Sequence, residues 1–207
     1  MGESHICGGC DQCGDLCITD TQCREFTTRV VNALINYKQG DGAFESWLNT
    51  FTRFVNILHN EQVDAETFID FLQSVVFYNY VQSSTDALRV SPSEQEFADS
   101  ETAFFEVLKK YKPDLIIVWG TRLWDRLPQN GEWADFDILD GANGKFYYYQ
   151  VDNKKMPAYS IYHPSSSAGE FLYFIHEYSL FSLSDMLCVK EINCNVNDVL
   201  YKCVVKQ

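Results

Sequence analysis

Three widely separated residues have side chains suited to proton transfer, charge stabilisation or base recognition: Glu3, Asn79 and His163. His163 follows the short apolar, β-prone run Ala158–Tyr162 and precedes Pro164 and the hydroxyls of Ser165, Ser166 and Ser167. Proline cannot donate to a sheet ladder, so the strand ends about there. An imidazole is thereby left at the carboxyl end of a strand, the edge of an α/β sheet where ligands bind. The competing explanation is a surface histidine beside serines that cap the next helix. Gly2-Glu3-Ser4-His5 would put a carboxylate, a hydroxyl and an imidazole into one tight loop, an arrangement suited to general acid–base work on a nearby ligand. Asn79 sits inside the aromatic run Phe77-Tyr78-Asn79-Tyr80. Its amide donates and accepts together, as the edge of a nucleobase requires, or else it bonds to backbone at a strand end.

A second kind of chemistry is written in Cys7-x2-Cys10-x2-Cys13-x3-Cys17, with Cys23 beyond it. Closely spaced thiolates wrap Zn²⁺ or an iron–sulfur cluster. The spacing equals a bacterial iron–sulfur run, although Ile18 stands where proline usually follows the last cysteine. Otherwise these are reduced cysteines packing a glycine-rich loop. No basic-then-apolar leader opens the sequence, so a cytoplasmic, reducing setting is expected, with metal binding favoured over disulfides. No apolar run reaches the roughly 20 residues of a membrane span. A formal charge of −13, from 16 basic and 29 acidic residues, opposes general attraction to nucleic acid.

The elements that must position these groups follow from hydrophobic period. Phe26, Val30, Val31, Leu34 and Ile35 recur at helical spacing up to Gly40-Asp41-Gly42, and Phe44 through Leu58 predicts a second helix. Asp64 caps a third, through Phe68 and Leu72. The stretch from Val75 to Val81 reads as a strand end or as more helix. Ser91-Pro92-Ser93-Glu94 predicts a helix start, with the period carried to Lys112-Pro113. Leu115–Gly120 is a continuous apolar run, as in a strand buried on both faces, and Thr121 opens a short helix ending by Pro128. Lys145–Val151 and Ala158–Tyr162 read as strands, 171–187 as a helix, and 188–207 as a tail of uncertain form. The pattern predicts one α/β domain over 1–207, a three-layer sandwich around a mostly parallel sheet. Arg122 and Arg126, just past the strand ending in Trp119-Gly120, are phosphate candidates.

Taken in order, the motifs resemble those of the uracil-DNA glycosylase superfamily. Gly2-Glu3-Ser4-His5 stands where that family carries its acidic, water-activating loop, Asn79 where its pyrimidine-reading asparagine ends a strand, and Ile116–Gly120 where a strand ends in Trp-Gly. His163-Pro164-Ser165 is similar to its second motif, whose histidine stabilises the departing base. The resemblance implies an N-glycosidic hydrolase of base excision acting on uracil or another modified pyrimidine. Glu3 and His163 would be catalytic, with Gly2, Ser4, His5, Phe77, Asn79, Ser165 and Arg122 at the substrate. The rival expectation is a catalytically silent nucleotide- or base-binding module. No cofactor is needed for the glycosidic step, so Zn or an iron–sulfur cluster would serve Cys7, Cys10, Cys13, Cys17 and Cys23 separately. The family's apolar strand before the first motif is expected to be missing, because the chain begins Met1-Gly2. Ser167 replaces the leucine that wedges into duplex, so the expected partner is single-stranded DNA or a nucleotide.

Overall fold

The computed structural model describes residues 1–3, 5–6, 26–59, 61–85, 90–137 and 143–165. The protein is α/β. Its helices are α1 (Phe26–Gln39), α2 (Leu48–Leu58), α3 (Ala65–Ser74), α4 (Glu94–Asp99), α5 (Glu101–Tyr111) and α6 (Thr121–Arg126). Strands β3 (Ile116–Trp119), β4 (Glu132–Asp137), β5 (Asn143–Val151) and β6 (Lys154–Ile161) form a sheet in the order β3-β6-β5-β4. Two short strands, β1 (His5–Ile6) and β2 (Ser84–Thr85), pair parallel.

The four-stranded sheet is mixed rather than mostly parallel. Only β3 and β6 run together; β5 and β4 return antiparallel, because connections as short as that between β5 and β6 can only reverse the chain. Asp152, in left-handed backbone at φ +51°, makes that reversal and lets β6 start at Lys154, four residues before the expected Ala158. β4 lacks a long apolar run, which is why its pairing with β5 escapes a reading based on hydrophobic blocks.

Parallel pairing continues on the other side of β3. The Met1 amine donates to the Ile117 carbonyl at 2.6 Å, and Trp119 N donates to the Met1 carbonyl at 3.0 Å. Gly2 N donates to Tyr78 O, and Gly2 O accepts from Tyr80 N, both at 2.9 Å. Val81 N then bonds Glu3 O at 2.8 Å. Met1–Glu3 therefore lies as a strand segment between 78–81 and β3. The stretch after Val75 accordingly leaves the helix and belongs to the sheet side, with α3 ending at Ser74.

Alternation of side chains across the sheet divides the core into two clusters. Trp119, Tyr159, Ile161 and Phe146 pack against Leu34, Val55, Leu58, Phe68 and Leu72 of α1–α3. Ile116, Val118, Ala158, Met156 and Tyr149 pack against Phe97, Phe104, Leu108 and Leu123 of α4–α6. Helices thus cover both faces of the sheet.

Local signals explain most helix ends. Asp64 accepts from Thr67 N at 2.8 Å, and Ser93 with Glu96 closes a reciprocal capping box. Two expectations need correction. Phe44 lies before α2, is 58% exposed and meets Tyr37 rather than the core. The helix expected to run unbroken to Lys112 divides at the buried Ser100, whose hydroxyl donates to the Glu96 carbonyl at 2.7 Å. Such a bond takes a carbonyl from the helical ladder. None of the helices among the described residues is long and apolar enough to cross a membrane.

Ser93→Ala should lower stability by about 1 kcal/mol, the usual cost of losing a helix cap. Urea titration should show a lower midpoint at unchanged slope.

Candidate functional site

The register of the sheet aligns four chain segments at one edge. Gly2 bridges Asn79, Met1 is bonded across Ile117 and Trp119, and Trp119 stands opposite Ile161. Just beyond these positions come Glu3, Gly120 and His163. Gly120 N donates to the Ile161 carbonyl at 2.8 Å. Its φ of +100° strongly favours glycine at the turn into α6 and brings its Cα beside His163, whose Cβ would be 3.9 Å from an added methyl.

Gly2 is required by a closer approach. A Cβ there would lie 2.6 Å from Asn79 Oδ1 and 3.6 Å from Phe77 Cζ. The Asn79 side chain therefore lies across the Gly2 backbone. Asn79 is 8% exposed. Its backbone carbonyl is held by the Gln82 side chain at 2.6 Å.

Aromatic rings line the same side. Phe77 meets Phe51 at 5.0 Å and Trp119 at 5.5 Å between centroids. Trp119 in turn meets the His163 ring edge-on at 5.9 Å. The Trp119 indole Nε1 is buried and finds no partner among the described residues.

His163 has one side on Trp119 and is otherwise at the surface. Its Nδ1 lies 2.7 Å from Ser165 Oγ and accepts from Ser165 N at 3.3 Å. A backbone N–H can only donate, so Nδ1 is the unprotonated nitrogen and the neutral ring carries its proton on Nε2. Desolvation by the packed surroundings lowers the His163 pKa; the nearby Glu3 opposes this, and the α-amino group of Met1 adds a smaller lowering. The net effect favours a neutral imidazole whose Nε2–H has no partner among the described residues.

Glu3 is held by Arg122. Arg122 Nε donates to Oε2 at 2.8 Å and Nη2 to Oε1 at 2.5 Å, while Nη1 donates to the Ser91 hydroxyl. The Glu3 side chain is 15% exposed against 57% for Arg122. The hydrogen bonds from Arg122 to Glu3 raise the guanidinium pKa further. The four-residue loop expected around Glu3 is instead an extended segment with a bend at Glu3, because Gly2 and Glu3 are bonded into the sheet and His5 begins β1. Arg126, the other phosphate candidate, pairs with Glu94.

The structure therefore brings Gly2, Glu3, Phe77, Asn79, Arg122, His163 and Ser165 to one region. For His5 only the backbone is described. Ser4 and all five N-terminal cysteines lie outside the described residues, as do Ser167 and the helix expected over 171–187. Among the described residues no cluster of His, Cys, Asp and Glu is arranged to hold a metal. Gln82 closes the run that begins at Phe77 but had no role assigned, and Ser91 escaped as a site residue. Ser91 announced only a helix start, and nothing in its spacing pointed to Arg122.

No protein-family profile and no solved structure matches the chain. It is similar to an alpha-L-arabinofuranosidase A and a probable alpha-L-arabinofuranosidase A, both of Aspergillus niger, at 31% identity over 91 residues. The match takes in 41% of this chain and spans 12% of the length of each relative. A likeness of that extent assigns no family.

Gly2→Ala should force Asn79 or the Met1–Glu3 segment aside and weaken binding of any ligand read by Asn79, with the helical circular-dichroism signal retained. Stability should also follow pH with a definite sign. His163 and His59 both have pKa values lowered from 6.5, chiefly by desolvation, so near that pH the folded chain binds fewer protons than the unfolded chain. The histidine contribution to the unfolding free energy should fall as pH drops through 6.5 and be fully lost below the folded values. His163→Ala should flatten part of that slope in urea titrations on either side of pH 6.5.

Proposed function

We propose that this protein is a uracil-DNA glycosylase-like hydrolase that cleaves the N-glycosidic bond of uracil or another modified pyrimidine. The observation that supports this most is the alignment at one sheet edge of Glu3, Asn79 and His163, drawn from positions more than 70 residues apart in the chain. In this reading the base stacks along Phe77 and presents its edge to the nearly buried Asn79 amide. Bond breaking leaves negative charge on the pyrimidine O2, and the His163 Nε2–H, held by Ser165, donates to it. The carboxylate of Glu3 faces the positive charge that develops on the sugar and orients the attacking water. The fold takes its place here too. Helices on both faces and parallel pairing from 78–81 across Met1–Glu3 and β3 to β6 are consistent with the three-layer arrangement of that superfamily.

The substrate proposed is a single-stranded uracil-containing DNA or a nucleotide. Arg122, a phosphate candidate in isolation, is already engaged by Glu3, and the net charge of −13 favours small or flexible substrates over duplex. A second reading draws on that same pair. Both Glu3 oxygens accept from Arg122, as would suit a silent module that only binds a base or nucleotide.

Incubation with a uracil-containing single-stranded oligonucleotide should release free uracil. Glu3→Gln and His163→Ala should each slow release by about 10²- to 10³-fold, the usual cost of losing one electrostatic group at a reacting centre. Thermal stabilisation by uracil or deoxyuridine monophosphate, with no base released from any deaminated oligonucleotide, would replace the enzymatic reading with the silent one.

A further inference from the structure

We infer that Arg122 is a positioning residue that acts through Glu3 and not a phosphate-binding group, an inference that rests on the glycosidic reading above. The guanidinium edge that faces Glu3 is taken. Nε and Nη2 grip the two oxygens of Glu3, and Nη1 reaches Ser91 on the segment leading into α4. A planar fork matched to both carboxylate oxygens fixes the direction as well as the place of that group, which a lysine cannot do.

The need for such a clamp follows from the backbone. Glu3 sits at a bend, and the last bond that ties its own main chain to the sheet is that from Val81 N to its carbonyl. Its side chain would otherwise be free to swing. Arg122 is well based for the task, since its helix opens directly from Gly120, whose N–H is bonded to β6 two residues before His163. One short turn thus ties the carboxylate and the imidazole to a common frame. Ser91 is anchored in its turn. Three residues on, Glu94 pairs with Arg126, and Ser93 and Ser83 both bond the Glu96 carboxylate, Ser83 at 2.8 Å. Gln82, beside Ser83, holds the carbonyl of Asn79. These polar contacts connect the Glu3 clamp to the Asn79 strand end.

A phosphate binder and a positioning residue make opposite demands on kinetics. Loss of a phosphate contact raises KM with kcat little changed, whereas loss of alignment lowers kcat. Misplacement of a catalytic group by about 1 Å can cost about 10²-fold. With a uracil-containing single-stranded oligonucleotide as probe, Arg122→Ala should lower kcat by about 10- to 10²-fold with KM changed less than about 3-fold. Arg122→Lys, which keeps the charge and loses the fork, should recover only part of kcat.

A double-mutant cycle decides whether the effect runs through Glu3. In a Glu3→Gln background Arg122→Ala should cost little further, since the carboxylate it aligns is gone. Full additivity of the two substitutions, or a rise in KM at unchanged kcat, overturns the inference while leaving the enzymatic reading intact. A wild-type protein that releases no base overturns the enzymatic reading and the role of Arg122 with it. Arg122 is more than half exposed, so its variants should keep the wild-type urea midpoint closely enough for these comparisons.

Discussion

The insertion of Met1–Glu3 between the 78–81 segment and β3 is the contact on which the site depends. Its backbone groups satisfy Tyr78, Tyr80 and Val81 on one side and Ile117 and Trp119 on the other. That double pairing fixes the register in which Gly2 meets Asn79, and it is this register that puts Glu3 on the same edge as Gly120 and His163. A slip of one residue would turn the side chains to opposite faces and separate the carboxylate from the imidazole. Glycine at position 2 belongs to the same constraint, because the Asn79 amide occupies the space a Cβ would need.

Electrostatically, the two ends of the site are prepared differently. At one end a full negative charge is matched by a full positive charge in bidentate geometry. At the other stands a neutral imidazole, one nitrogen turned toward Ser165 and its N–H without a partner among the described residues. Between them stand the nearly buried Asn79 amide and a run of aromatic rings. Such a surface offers no excess positive charge to a phosphate backbone. On the glycosidic reading, selectivity rests on hydrogen bonding to a base edge and on stacking, terms that depend little on salt.

Much of this arrangement was written locally. The proline after His163 stopped its strand, Asp64 and Ser93 announced their helices, and the apolar block before Gly120 marked β3. These signals act over a few residues, and so sequence carries them. What escaped depends on partners far along the chain. β4 is recognised only through β5, and the break at Ser100 through one hydroxyl bonding backward. The clamp of Glu3 by Arg122 joins positions 119 residues apart and has no periodic signature. Arg122 read alone is a cation awaiting an anion, and the fold supplies that anion from within.

Apart from Met1, which packs on one of them, the two hydrophobic clusters on either side of the sheet draw on helices and strands that begin at Phe26, while the segment carrying Glu3 is tied mainly through main-chain bonds and the Arg122 fork. On the glycosidic reading, endurance and competence are therefore carried largely by different parts of the chain. Proteins open first where few apolar contacts hold. A brief detachment of Met1–Glu3 would spare the cluster against α1–α3, loosen Met1 from the other and withdraw the carboxylate from its edge. On the glycosidic reading, a population of folded molecules would then contain working and idle members that differ in whether three residues are zipped into the sheet.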